Sequence, residues 1–166
     1  MKNPPQGPQP TLRGRAIKLL ARREHSRAEL AKKLAVQADR TVAAASKEDI
    51  DSVLDQLEKS GLLSDARAAE AYVRGHAARF GTAKLSYSLR SRGIDSAVIE
   101  ASLAQEGLAD ERTRATEVWR SKFGDRPRDA REWARQARFL QSRGFSGEII
   151  RKLLKEMPDA LEGGDE

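Results

Sequence analysis

Cysteine is absent from all 166 residues, which excludes disulfides, thiolate zinc sites and a cysteine nucleophile together and fits a reducing compartment. Histidine occurs twice, at His25 and His76, with no H-E-x-x-H or other metal-ligand spacing. No G-x-x-x-x-G-K-[ST] or G-x-G-x-x-G loop is present to cradle a phosphate. Ser26 beside His25 is explained by a helix cap, so the pair is not read as catalytic, and both histidines are expected on the solvated surface. These absences argue against an enzyme, and no cofactor or metal is expected. Residues 1–10 hold prolines at 4, 5, 8 and 10 and no apolar stretch, so neither a signal peptide nor a membrane span is expected there. The expectation is a cytoplasmic protein with no membrane partner, a disordered leader over 1–10 and an unstructured acidic tail over 158–166.

Aromatic residues make up only 5% of the chain, all of them at or beyond Tyr72, and β-branched residues are also few. Ala, Leu, Arg and Glu dominate instead, a composition that favours helix over strand. Within it, Leu57/Gly61/Leu62, Leu89/Gly93/Ile94, Leu103/Gly107/Leu108 and Leu140/Gly144/Phe145 share one pattern: leucine, glycine four residues on, then an apolar residue. This is how a helix ends in a left-handed glycine cap whose next residue folds back onto the last turn.

The spacing of these stops forms a repeat. Sliding the chain by 46 residues pairs Asp49 with Asp95, Val53 with Ile99 and Leu57 with Leu103; sliding it by 51 pairs Leu89, Ser91, Arg92 and Gly93 with Leu140, Ser142, Arg143 and Gly144. A period near 50 residues made only of helix signals predicts stacked helical modules. The fold expected is all-α, three tandem three-helix repeats forming an elongated array, with repeats over 11–63, 64–107 and 108–157.

Helix signals fill the modules. The first helix is expected from Thr11 to Arg23, with Ile17 and Leu20 inward. Ser26 and Glu29 form a capping box for a second carrying Leu30 and Leu34. A polar connection over 35–45 leads to a third, capped by Ser46 with Asp49 and buried through Ile50, Val53, Leu54 and Leu57. The second module opens at Ser64 or Asp65 and its first helix runs toward Gly81; Thr82 and Asp95 cap its other two. The third holds helices near 110–123, 129–143 and from Ser146 onward.

The formal net charge of +6 is unevenly spread. Residues 12–35 carry +6, residues 36–63 carry −3 and residues 108–157 carry +5, a mixed-sign surface rather than a uniformly basic sleeve. On an ideal helix Arg128, Arg131, Arg135 and Arg138 fall within about 80° of one another, with Trp133 and Leu140 on the other side. This basic stripe reads either as a partner surface or as a solvated face balanced by Asp129 and Glu132. Phe139, near its edge, reads as core or as an exposed stacking residue.

Five segments, in order, carry a family resemblance: Arg22-Arg23-Glu24-His25-Ser26-Arg27-Ala28-Glu29-Leu30; Ser64-Asp65 with Ala69, Tyr72 and Val73; Arg79-Phe80-Gly81; Leu89-Arg90-Ser91-Arg92-Gly93-Ile94; and Arg138-Phe139-Leu140-Gln141-Ser142-Arg143-Gly144-Phe145-Ser146. The chain resembles the bacterial RecX regulatory proteins over residues 12–157. The resemblance implies a curved, crescent-shaped array that lies in the groove of the RecA filament on single-stranded DNA and limits filament growth, ATP hydrolysis and strand exchange. It implies a monomer and a part in recombination, repair and the SOS response. Two departures stand out: Ala68 replaces the family's usual aromatic, implying looser packing there, and Val36-Gln37-Ala38-Asp39 replaces a glycine turn.

Two function classes remain. In one, the chain binds the RecA filament as a protein partner, touching single-stranded DNA only through it; in the other it binds nucleic acid directly, as a sequence pI near 9.8 allows. The candidate contact residues are the same in both: Arg22, Arg23, Lys32, Lys33, Arg90, Arg92, Arg128, Arg131, Arg135, Arg138 and Arg143.

Overall fold

A computed structural model describes residues 11–38, 45–105 and 108–156; the leader, the acidic tail and the glycine stop at Gly107 lie outside these. Among the described residues the regular structure is helical: α1 (Leu12–Leu20), α2 (Arg27–Ala38), α3 (Lys47–Lys59), α4 (Asp65–His76), α5 (Thr82–Ser91), α6 (Ser96–Leu103), α7 (Glu111–Lys122), α8 (Ala130–Ser142) and α9 (Gly147–Glu156). The fold is an all-α array of three-helix repeats.

Each repeat buries its own core. Ala16, Leu30, Leu34, Ile50, Leu54, Leu57 and Leu63 fill the first; Ala69, Val73, Ala77, Leu85, Leu89, Ile94 and Ile99 the second; Ala115, Val118, Trp119, Leu140, Phe145, Ile150, Leu153 and Leu154 the third. Extensive helix-to-helix packing, as of α4 on α6 or α7 on α9, stays inside a module. Such modules are small, and each gains from contact with its neighbour.

The helix stops have the geometry their spelling predicts. Gly61, Gly93 and Gly144 have φ of 71°, 75° and 86°. At the last two, the glycine N–H bonds the carbonyl three residues back (2.8 and 2.9 Å), and the next N–H reaches back five residues, Ile94 to Leu89 and Phe145 to Leu140 (both 3.3 Å). This paired arrangement satisfies two carbonyls that a helix end leaves open. After α3 both Leu62 and Leu63 bond the Leu57 carbonyl, and Leu63 enters the core while Leu62 is exposed. Gly124 adds a positive φ of 75° after α7 that the leucine–glycine pattern does not mark. The caps at Ser46, Ser64 and Asp95 form as expected, Ser46 and Asp49 as a reciprocal box.

Several expectations are corrected. Helix α1 stops at Leu20 rather than Arg23 and turns its Ala16, not Ile17, into the core. Helix α2 continues to Ala38 through the start of the expected 35–45 connection, whose residues 39–44 lie outside the described ones. Helix α4 ends at His76, and Gly81 rather than Thr82 is the N-cap of α5. His25 is buried, and His76 is half-buried with its ring stacked on Tyr72 at 4.0 Å. Trp133 is exposed: the core closes earlier, where buried Gln136 accepts from Trp119 Nε1 (2.7 Å) and donates to the Asp125 carbonyl (3.1 Å). A polar lid of this kind can end an apolar core because both the oxygen and the nitrogen of its amide have a hydrogen-bond partner. Ala68 is buried yet borders a pocket of about 270 Å³ beside Tyr72 and Ile94, space that a larger side chain would fill.

Candidate functional site

The modules meet helix end to turn, and the same joint is used twice. At the first seam the start of α2 sits on the turn between α5 and α6: Ser26 Oγ donates to the Arg92 carbonyl (2.6 Å), and a side chain on Gly93 would meet the Ala28 Cβ at 2.5 Å. At the second the start of α5 sits on the turn between α8 and α9: the Gly81 N–H donates to the Arg143 carbonyl (2.9 Å), the Ala83 N–H to that of Gly144 (3.3 Å), and Lys84 Nζ to that of Ser142 (3.1 Å). The repeated Ser-Arg-Gly letters at 91–93 and 142–144 thus mark the two docking turns. Free helix-start N–H groups and open helix-end carbonyls complement each other.

Charged side chains reinforce the first seam. Glu29 accepts from Ser26 N (3.3 Å), pairs with Arg23 (3.3 Å) and forms a close ion pair with Arg92, whose guanidinium stands over the Tyr72 ring at 4.5 Å. Burial pushes the Glu29 carboxyl up, but the Arg23 and Ser26 hydrogen bonds and the Arg92 and Arg23 charges outweigh it and hold its pKa below 4.5. Asp65 of α4 accepts from the Arg27 N–H (2.7 Å), capping α2 from the next module, and Arg67 pairs with Glu24 (2.9 Å). His25 Nδ1 donates to the Arg23 carbonyl (2.9 Å), which leaves Nε2 to accept from Lys33 Nζ (3.0 Å). Burial, aided by the Arg23 and Lys33 charges and opposed by the Arg23 carbonyl and Glu29, holds the His25 pKa below 6.5.

The second seam is tied by a residue that sequence reasoning missed. Buried Arg114 of α7 donates to the carbonyls of Phe80 (2.7 Å), Ala77 (3.3 Å) and Ala109 (3.0 Å) and to Thr82 Oγ1 (3.2 Å). It thereby gathers the end of α4 and the start of α5 onto the third module. Burial lowers its pKa, and the charges of Glu111 and Asp110 oppose that shift. No local spelling marks such a residue, because its partners across the seam, the Ala77 and Phe80 carbonyls and the Thr82 hydroxyl, lie more than thirty positions away.

The expected contact residues therefore fall into two groups. Arg23, Lys33, Arg92 and Arg143 are engaged at or beside the seams; Arg143 lies over both Phe80 (5.7 Å) and Phe139 (5.1 Å). Arg22, Lys32, Arg90, Arg128, Arg131, Arg135 and Arg138 are exposed. Arg128 precedes the α8 N-cap Asp129, so three arginines rather than four share the helix face; its backbone N–H donates to Glu132 (2.9 Å). Arg135 stands over the Phe123 ring at 5.7 Å, while Arg131 and Arg138 have no ion-pair partner among the described residues. Phe139 is half-buried in the third core, edge-on to Phe123 at 5.3 Å. The described residues contain no cluster of His, Cys, Asp or Glu able to hold a metal ion, and no helix long and apolar enough to cross a membrane.

An all-α array of three-helix repeats is the architecture of a family of bacterial regulatory proteins. Residues 64–103 match the family model for the second three-helix domain of RecX, and residues 110–154 match that for the third. The regulatory protein RecX of Leptothrix cholodnii is 46% identical over 149 residues, 89% of this chain and 90% of that protein. That of Chromobacterium violaceum is 40% identical over 144 residues, 87% and 89% respectively. The chain belongs to the RecX family. Its fold is also that of the crystal structure of RecX from Lactobacillus salivarius, with a TM-score of 0.67 at 21% identity over 87% of this chain and 93% of that one.

Proposed function

We propose that this chain binds the RecA filament on single-stranded DNA and inhibits its ATP hydrolysis, strand exchange and coprotease activities, acting as a non-enzymatic cytoplasmic monomer in the control of recombination, repair and the SOS response. Membership of a family of regulatory proteins supports a RecA-directed role. The observation that carries the reading to particular residues is the exposed set on α8, Arg131, Arg135 and Arg138, none of which has a carboxylate partner among the described residues. Unpaired arginines on a rigid helix lose little on binding and suit carboxylate or phosphate groups of a filament. Arg22, Lys32 and Arg90 are the secondary contacts in this reading. The modules 11–63, 64–107 and 108–157 act together along the filament.

A second reading, direct binding of single strands, is favoured by two exposed aromatics. Tyr87 is 72% exposed and Trp133 39%, and bases stack on such rings beside cations. Retention on oligo(dT) with and without RecA separates the two. The filament reading predicts that RecA raises retention strongly; equal retention without RecA contradicts it and supports direct binding.

A further inference from the structure

Beside the second seam lies an open cleft of about 720 Å³, within the size range of ligand sites. Its floor is apolar, with Ala77 and Val118 buried and Phe139 half-buried. Its rim is cationic: Arg79 and Lys122 are exposed and Arg143 is half-buried. None of these three forms an ion pair among the described residues. Arg79 and Arg143 lie instead over the Phe80 ring, at 5.8 and 5.7 Å. Glu117 is the single acid in the lining, and Arg114 in the wall adds a further positive charge whose donors are occupied by carbonyls.

Apolar floor and cationic rim together select the occupant. A nucleobase needs an open aromatic face, but the one aromatic lining the cleft, Phe139, carries Arg143 over its ring at 5.1 Å and meets Phe123 edge-on. A phosphate backbone gains nothing from an apolar floor. An apolar side chain flanked by carboxylates satisfies both: the side chain buries against Val118 and Phe139, and the carboxylates meet guanidinium groups that can bind them in bidentate fashion.

We propose that this cleft seats an acidic peptide segment of the recombinase, anchored by one apolar side chain and held by Arg79, Lys122 and Arg143. The assignment rests on the filament-binding reading above.

Two full-length variants test it: Ala78→Trp, which fills the cleft from its exposed edge, and Arg79→Glu with Lys122→Glu, which reverses the rim. Each is first shown to be folded by circular dichroism melting, then assayed by co-sedimentation with RecA on poly(dT) and by binding to poly(dT) alone. At least a tenfold loss of filament binding, with poly(dT) binding unchanged, is expected of both. If Ala78→Trp does not fold, the rim reversal decides alone. Because the chain lacks cysteine, Ser121→Cys can carry a single photo-crosslinker at the cleft, and capture of an acidic RecA segment is expected. Full filament binding by the folded variants overturns the cleft while leaving the partner in place. Equal losses on poly(dT) and filament make the cleft a nucleic-acid site and overturn it too. Wild-type protein that does not sediment with RecA removes the partner, and the proposal with it.

Discussion

Gly81 and Gly144 lie so close that a Cβ on Gly81 would stand 2.3 Å from the Gly144 carbonyl oxygen. The first module boundary is similar, with Gly93 against Ala28. Glycine is needed at Gly81 for space alone, since it has no positive φ. Gly81→Ala should therefore lower stability by about 1–3 kcal/mol, the usual range for overpacking, read from urea unfolding. An unchanged midpoint would mean that the second and third modules can part without cost.

Gly61 and Gly93 separate conformation from space. Both have positive φ, but nothing lies within 4 Å of a Cβ on Gly61, whereas one on Gly93 meets Ala28 at 2.5 Å. Gly61→Ala should cost roughly 1 kcal/mol from the left-handed backbone alone, and Gly93→Ala distinctly more. Melting of the two variants side by side gives the comparison; equal losses would remove the close approach at the first seam.

Arg114 should matter for stability well beyond its single charge. Arg114→Met keeps much of the apolar stem but strands the Phe80 and Ala77 carbonyls, and a buried unsatisfied group costs about 1–3 kcal/mol. A loss of that size is expected in urea unfolding, and a neutral substitution would show that water replaces the guanidinium.

Acid should destabilise the first module and then its seam with the second, in two steps. His25 has its folded pKa below 6.5, so the unfolded chain takes up a proton first and stability falls as pH drops from 6.5 toward the folded value. Glu29, with its pKa below 4.5, contributes stability that is full above 4.5 and lost as pH falls through its folded pKa. Urea unfolding from pH 8 to pH 4 should show the first decline, and His25→Asn should flatten it. A wild-type profile flat between pH 7 and pH 5 would contradict the buried neutral imidazole.

The repeats, helix caps and most core leucines were legible because each rests on local spacing: Leu89 and Leu140 are buried where the glycine stops place them. Trp133 and Ile17 were misplaced because periodicity gives the face of a helix, not where along it the core ends. His25 was misplaced because its burial depends on Lys33 and the Arg23 carbonyl within the fold. The cationic residues could be named from the sequence, but not sorted. Arg92 is spent on Glu29 and Arg138 makes no ion pair among the described residues, a difference that arises only when modules 1 and 2 are brought together.

The most direct measurement is RecA ATP hydrolysis on single-stranded DNA in the presence of wild-type protein and of Arg131→Glu with Arg138→Glu. Both residues are exposed on α8 away from buried Leu140, so the double variant should melt like wild type. Wild type should inhibit, and the folded variant should need at least tenfold more protein for the same effect. If the arginines touch phosphates, the log–log salt dependence should also become shallower by roughly 0.9 for each phosphate no longer neutralised. Full inhibition by the folded variant would contradict the α8 arginines as the filament contact, and absence of inhibition by wild type would contradict the proposed function itself.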